Sequence, residues 1–563
     1  MTDPQPNAAT TPASPLPTGA RHPSSAVARV SPAVLRTMLA DGAEIALIDV
    51  REGGPFSRAH LLLASNLPLS LLEVRAPQLL PRRTVRIVLV DDDDGAAGAG
   101  LAARAARVLA EHGYSDLVIL AGGVTGWAQD GFELFSGTNV PSKAFGEHVE
   151  HACETPRIEP ALLQQWRAEG RDVVVVDSRP LDEYRMVSIP GAADCPGAEL
   201  VLRVPGLVAS PETIVVVNCA GRTRSIIGAQ SLRNAGLPNP VYALKNGTMG
   251  WHLAGLKTDK GRDNLAVEPQ GPALARAQEL ARDVARRFAL RFIGLDELRA
   301  MQADASRTTQ VFDVRLPEAY LAGHLPGSLS APGGQLVQAT DTFVPVRGAR
   351  IVLVDRHQVQ AVMTAHWLGQ MGWTDVHVLV DALDAVPLAQ GLPSIPALGE
   401  ERLSAPSMTP VAVSNACDAS VATVIDVGDS FDYRRARIPG ASYAMRSRLA
   451  DVLHRFPRDA CLVFCCADGR VSRFAAQDAI DLGYAGSRWL AGGRAAWRAA
   501  GLATEACAGD DDPLLLTATD DMWYPPWARS AGVEAAMQQY LTWELNLLAQ
   551  LEREPYLRFA SPA

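Results

Sequence analysis

A cysteine followed closely by two arginines marks the segment of the chain best equipped for chemistry. The loop after the apolar run TIVVVN consists of Cys219, Ala220, Gly221, Arg222, Thr223, Arg224 and Ser225. If a strand ends at the thiol and a helix begins within the loop, backbone N–H groups there converge on an anion. A helix N-terminus and nearby arginines also lower the pKa of a thiol. The residues predict that Cys219 is largely thiolate and that it attacks a polarised sulfur, holding it as a persulfide without a metal or organic cofactor.

A second cysteine loop lies towards the C-terminal end of the chain. Cys466 precedes Gly483 by the same interval that separates Cys219 from Gly236. This loop keeps a glycine, an arginine and a serine: Gly469, Arg470 and Ser472. It has Val471 where the first loop has an arginine, so its anion site is poorer. The sequence leaves open whether Cys466 is a second active site or a vestigial or acceptor thiol.

Two further segments have the same layout but carry carboxylates in place of the thiol. Asp355 occupies the nucleophile position in one, and the run from Asp91 to Asp94 fills a lengthened loop in the other. A carboxylate repels an anionic donor. Both segments are therefore expected to be inactive and to serve by packing against the active units and shaping access.

The elements that position these loops form a fourfold internal repeat. Each unit begins with a short apolar run ending in aspartate, found in ALIDVR, VVVVDSR, QVFDVR and TVIDVG. A second apolar run, a polar loop, an Ala-rich helical stretch and a glycine follow. Apolar runs that alternate with helical patterns predict β-α-β units and a parallel sheet covered on both faces. The fold class is therefore α/β, with four tandem domains.

The remaining segments are interpreted as a leader, a linker and a tail. Residues 1–29 are rich in Pro, Ala, Ser and Thr and are expected to be a disordered leader. Residues 259–289 are predicted to form a linker and a helix, and residues 512–563 a helical tail. The tail helix is expected to dock on the domains, with a dimerisation element as the alternative.

Composition excludes several classes of partner. The chain of 563 residues has 52 basic and 62 acidic side chains and a formal net charge of −10, so it offers no overall basic field to a nucleic acid or an anionic membrane. No apolar run is long enough to predict a membrane-spanning helix. The eight cysteines form no C-x-x-C pair, which favours a reducing cytoplasm.

These motifs together resemble the rhodanese-like sulfurtransferases. The resemblance rests on the D-x-R near the unit starts, the His/Ile-Pro-Gly-Ala segment, the cysteine loop and the Gly-Gly or Asn-Gly turn before Trp. It covers residues 30–135, 156–258, 290–392 and 407–505. It implies domains with a parallel sheet of about five strands flanked by helices, each of the four units forming one domain.

The resemblance also implies an activity and its residues. The family transfers sulfane sulfur from a donor such as thiosulfate to a thiol or cyanide by a ping-pong mechanism. Cys219 then becomes the persulfide nucleophile, and residues 220–225 become its cradle. Arg179 matches the D-x-R arginine that braces the site through acidic partners, with Glu183 as one candidate partner. In the last unit Gly428 replaces this arginine.

Two alternative functions remain at this point. A phosphatase or arsenate reductase of the same fold would use a C-x5-R loop, whereas Cys219 and Arg224 form C-x4-R. The other alternative is a sulfur-relay or regulatory binding protein whose inactive domains dock a partner, and a protein sulfur acceptor is a candidate under either activity. Thiosulfate is the favoured donor, because the loop does not match that of mercaptopyruvate-type relatives.

Overall fold

The computed structural model describes residues 27–93, 100–529, 531–554 and 556–560. The predicted leader falls outside the described residues up to residue 26, and Ala28 and Arg29 already belong to the first strand. Asp94 also lies outside the described residues.

Each domain is built on a parallel sheet of five short strands with the same order. In spatial order, the strands of the first domain are Ala28–Val30, Leu117–Leu120, Arg86–Val90, Ile45–Asp49 and Ser65–Asn66. Those of the second are Arg157–Ile158, Val241–Leu244, Ile214–Asn218, Val173–Asp177 and Ala193–Asp194. Those of the third are Arg291–Ile293, Val376–Leu379, Arg350–Val354, Thr309–Asp313 and Leu329–Ser330. Those of the fourth are Ser407–Met408, Arg488–Leu490, Leu462–Cys465, Thr423–Asp426 and Ser442–Tyr443.

The central strands are almost continuous runs of β-branched and other apolar residues because helices cover both faces of each sheet. The helices of the first two domains are Pro32–Ala40, Gly53–Arg58, Leu72–Leu79, Leu101–Glu111, Gly123–Gln129, Pro160–Ala168, Leu181–Met186, Leu200–Arg203, Thr223–Asn234 and Gly247–Leu253. Those of the last two are Leu295–Ala303, Pro317–Ala322, Gly333–Gln338, Thr340–Phe343, Gln360–Gln370, Ala382–Ala385, Pro410–Asp418, Ser430–Arg435, Leu449–Val452, Arg470–Asp481 and Gly493–Ala499. Several start with proline directly after the capping residue, where its fixed φ suits the first turn.

Three α-helices of the described residues lie outside the four domains. The linker helix Val140–Cys153 connects the first two domains, Gly271–Arg287 connects the second to the third, and the tail helix Val533–Leu551 follows the fourth. The tail helix buries Leu547 and Leu551 in the core of the first domain. Its Met537 and Leu541 contact Met249 of the second domain, so the tail joins these two domains.

The domains also contact one another directly. The strand Val346–Arg347 of the third domain pairs antiparallel with Ile45–Asp49 and gives the first sheet a sixth strand. This addition was not predicted, because two residues carry no recognisable strand pattern. Arg446 of the fourth domain donates to both carboxylate oxygens of Glu73 in the first, at 2.7 and 2.9 Å.

Among the described residues, no helix combines the length and apolar character that crossing a bilayer requires.

Candidate active site

Cys219 lies where a strand gives way to a helix, as its sequence context predicts. It directly follows the strand Ile214–Asn218, and the helix Thr223–Asn234 begins four residues later. The segment that follows the Asn-Gly turn is hydrogen-bonded to this loop. The Thr248 N–H and hydroxyl both donate to the Cys219 carbonyl, at 2.8 and 3.0 Å. A Cβ on Gly247 would lie 2.4 Å from that carbonyl oxygen, which explains why glycine occupies this position.

The two loop arginines are both engaged by carboxylates. Arg222 is 4% exposed, and its Nε and Nη2 donate to Glu147 at 2.7 Å each, with Nη2 also 2.5 Å from Glu150. Both glutamates belong to the linker helix. Arg224 donates through Nη1 and Nη2 to the two oxygens of Glu183, at 2.7 Å each. Neither guanidinium is therefore the uncompensated cation that the loop sequence suggests.

Arg179 has a different partner from the one proposed from sequence. It is buried and donates through Nε and Nη2 to Asp177, at 2.8 Å each, and through Nη2 to the Val187 carbonyl at 2.7 Å. Glu183, suggested as its partner, pairs with Arg224 instead. The D-x-R arginine thus folds back to pair with the aspartate two residues before it.

Burial of the thiol opposes the prediction that Cys219 is largely thiolate. The residue is 2% exposed, and burial raises the pKa of its thiol. The charge of Arg224 and hydrogen bonds from the Ser225 hydroxyl and N–H oppose this effect without cancelling it. The sequence indicated the helix terminus and the arginines, but it gave no measure of how deeply the thiol is covered.

A cavity of about 330 Å³ opens above the first cysteine loop. One wall consists of Cys219, Ala220, Gly221, Arg222, Thr223 and Arg224. The opposite walls come from the linker helix and the tail, through Lys143, Trp523, Trp527, Tyr540 and Glu544. Sequence reasoning missed these residues because they lie outside every repeat unit, where neither the motifs nor the repeat offered a signal.

Two of these wall residues are buried ionisable groups. Lys143 is 4% exposed, and its Nζ donates to the Thr138 carbonyl at 2.6 Å. Glu544 is 1% exposed and accepts hydrogen bonds from the Thr223 and Tyr540 hydroxyls at 3.2 and 3.0 Å. Its other oxygen has no hydrogen-bond partner among the described residues, and burial raises the pKa of the carboxyl.

The second cysteine loop directs backbone N–H groups at its thiol and lies beside a more acidic cavity. The N–H groups of Gly469 and Ser472 lie 3.2 and 3.4 Å from the Cys466 Sγ. Burial raises the pKa of this thiol as well. The cavity beside it, of about 460 Å³, is lined by five carboxylate residues: Glu52, Asp341, Asp429, Asp468 and Asp521. Arg470 does not line this cavity, and its guanidinium donates to the Ile395 carbonyl instead.

In the fourth domain, which lacks the D-x-R arginine, Arg494 pairs with the buried aspartate instead. Asp426 is fully buried and faces Gly428 where the other units have arginine. Arg494, on the helix Gly493–Ala499, donates to Asp426 through Nη1 at 2.5 Å. Cys465 and Cys466 point to opposite faces of the sheet, as neighbouring strand residues do, and lie in different apolar clusters.

The two domains without a thiol hold a carboxylate in the equivalent loop. Asp355 directly follows the strand Arg350–Val354 and accepts hydrogen bonds from the N–H groups of Gln358, Val359 and Gln360 at 2.8 to 2.9 Å. Asp91 accepts from Ala102 in the same way at 3.1 Å. In the third domain the loop amides therefore converge on a carboxylate of the protein itself.

Comparison with known proteins agrees with this architecture. The model of the rhodanese-like domain matches residues 31–130, 159–254, 294–386 and 409–500. The crystal structure of a thiosulfate sulfurtransferase from Pseudomonas aeruginosa is similar over 95% of this chain and 99% of its own, with 43% identity and a TM-score of 0.88. An HTH-type transcriptional regulator of Mycobacterium tuberculosis is 35% identical over 95 residues, which are 17% of this chain and 41% of that relative. The chain therefore belongs to the rhodanese-like family and carries four rhodanese-like domains in tandem.

Proposed function

We propose that this protein is a sulfurtransferase that moves sulfane sulfur from thiosulfate, or a donor of similar charge, to a thiol or cyanide through a persulfide on Cys219. The similarity to a thiosulfate sulfurtransferase over nearly the whole chain supports the class of activity. The equivalence of Cys219 with Asp355 supports the residue: in the third domain the same loop position holds a negative charge against converging N–H groups.

The transfer needs two displacements. The Cys219 Sγ thiolate attacks the sulfane sulfur of thiosulfate, and the S–S bond of the donor breaks with its electron pair leaving on sulfite. The outer sulfur of the Cys219 persulfide is then attacked by an acceptor thiolate or cyanide. Sγ leaves as thiolate, and the product is an acceptor persulfide or thiocyanate. No oxidant or reductant enters the balance.

The residues around Cys219 have distinct parts in this scheme. The loop N–H groups and the start of the helix Thr223–Asn234 stabilise the negative charge of the persulfide. Arg224 lowers the pKa of the Cys219 thiol against the effect of burial. Arg222 ties the loop to the linker helix through Glu147, and Arg179 holds the neighbouring strand end through Asp177.

The test is turnover of thiosulfate and cyanide to thiocyanate by purified protein. Cys219→Ser is expected to remove most of the turnover, whereas Cys417→Ser, which changes a thiol on the distant helix Pro410–Asp418, is expected to retain it. Equal activity of the Cys219→Ser protein and the wild type would refute the assignment of the nucleophile.

A further inference from the structure

The cavity above Cys219 needs a cation that can receive an anionic donor. Arg222 and Arg224 line this cavity, but each guanidinium already makes a two-point contact with a carboxylate. Their charges are largely compensated by Glu147 and Glu183 before any substrate arrives.

Lys143 is the remaining basic residue of the cavity wall, and its ammonium has a different environment. Among the described residues, no carboxylate forms a salt bridge with it, and its hydrogen bond goes to a backbone carbonyl. The rings of Trp523, Tyr540 and Trp543 surround it, with centroids 5.6, 5.2 and 4.8 Å from Nζ. Aromatic faces attract a cation but carry no net charge, so within the described part of the chain no direct ion pair neutralises the ammonium.

The charge persists at neutral pH although it is buried. Burial lowers the pKa of Lys143 to about 8, with Glu544 and Asp341 as the main groups that oppose this shift. Lysine is mostly protonated one unit below its pKa. An anion entering the cavity would therefore find a desolvated ammonium in its wall, where electrostatic attraction is stronger than in water.

We infer that Lys143 binds the anionic end of the sulfur donor while Cys219 attacks its sulfane sulfur. This inference rests on the proposed function and adds a residue to it from the linker helix rather than from a cysteine loop. The donor class is thiosulfate, whose oxygen-bearing group carries a negative charge. Because the leaving group of thiosulfate departs as sulfite, the ammonium that binds the donor also stabilises the charge on the departing group.

The kinetic test compares two donors that differ by one charge. Thiosulfate is a dianion, and methanethiosulfonate replaces one of its oxygens with a methyl group and is a monoanion. Lys143→Met keeps an unbranched apolar side chain in the aromatic surroundings and removes the charge. We expect it to raise the KM for thiosulfate at least about tenfold and to reduce the preference for thiosulfate over methanethiosulfonate. Lys143→Arg should recover part of that preference, and Lys260→Met, at an exposed lysine, should change neither value.

A merely structural lysine would give a different pattern. Equal losses with both donors, or an unchanged KM for thiosulfate, would overturn the inference. Discharge by cyanide of a persulfide formed beforehand should be unaffected in Lys143→Met, because that step no longer involves the donor.

A binding measurement separates this inference from the proposed function. Thiosulfate titrated calorimetrically into the Cys219→Ser protein should bind, and adding Lys143→Met should weaken that binding at least about tenfold. If the wild type forms no persulfide but thiosulfate binds in this Lys143-dependent way, the proposed function fails and the anion site stands. If the wild type forms the persulfide but Lys143→Met leaves binding unchanged, the anion site fails and the proposed function stands.

Discussion

The guanidinium of Arg224 and the carboxylate of Glu183 form a two-point ion pair, with both N···O distances 2.7 Å, at the edge of the Cys219 cavity. The pair brings Arg224 close enough to lower the pKa of Cys219 but leaves it little free charge for a substrate. The charge at this edge therefore depends on both residues together.

Arg224→Ala should raise the KM for thiosulfate about tenfold or more, because it removes a cation and leaves the Glu183 carboxylate unpaired beside the cavity. The double variant Arg224→Ala/Glu183→Gln should recover part of this loss, since it restores the charge balance. Steady-state kinetics of the single and double variants measure the effect. A double variant as poor as the single one would mean that Arg224 contacts the donor directly.

Cys466→Ser should retain most thiosulfate turnover, while Cys219→Ser loses most of it. The physical reason is the five carboxylate residues that line the Cys466 cavity and oppose a dianionic donor. Thiocyanate formation by the two variants under identical conditions makes the comparison. Equal losses in the two proteins would contradict this ranking of the two loops.

The pH dependence of kcat/KM for thiosulfate should reflect two ionisable groups that line the same cavity, Cys219 and Lys143. The reactive form needs a Cys219 thiolate, whose pKa is raised by burial, and a Lys143 ammonium, whose pKa is lowered by burial to about 8. Besides these, the charged groups around Lys143 are Glu544, Asp341, Arg224 and Glu183.

Deprotonation of Cys219 raises kcat/KM for thiosulfate, whereas deprotonation of Lys143 lowers it. Below pH 8, kcat/KM should rise with pH as thiolate forms; near pH 8 it should flatten, because each gain in thiolate is matched by a loss of ammonium. In Lys143→Met the rise should continue above pH 8 without the break. A wild-type profile with no break near pH 8, or an identical break in the variant, would argue against a role for Lys143.

Arg494→Ala should destabilise the fourth domain. Asp426 is fully buried, and removing its ion-pair partner typically costs about 3–5 kcal/mol of unfolding free energy. Urea unfolding should show the loss, and Asp426→Asn in the same chain should recover part of it. Arg498→Ala, at an exposed position on the same helix, serves as the control. Unchanged stability of Arg494→Ala would show that the arginine does not replace the missing D-x-R residue.

Much of the fold was accessible from sequence because it repeats. Four apolar runs ending in aspartate, each followed by a second apolar run and a helix, predicted parallel α/β domains. As predicted, the strand Ile214–Asn218 ends at the residue before Cys219. The prediction succeeds because a strand buried on both faces must be a nearly continuous apolar run, and the polar loop after it marks the turn into the helix.

The residues that form the other walls of the cavity could not be predicted from any sequence pattern. Lys143 lies in a linker, and Glu544 is more than three hundred residues away from Cys219 along the chain, so only tertiary contacts bring them to the cavity. The partners of the arginines were also inaccessible: spacing placed Arg222 in the loop, but not the glutamates of the linker helix that bind it. Likewise, only the structure shows that burial outweighs Arg224 in setting the Cys219 pKa.

Intact-protein mass spectrometry after incubation with thiosulfate tests the central claim most directly. The account predicts that the wild type gains the mass of one sulfur atom, that peptide mapping places it on Cys219, and that cyanide removes it. The Cys219→Ser protein should lack this adduct at the loop. A wild type that gains no sulfur, or one that carries it only on other cysteines, would contradict the account.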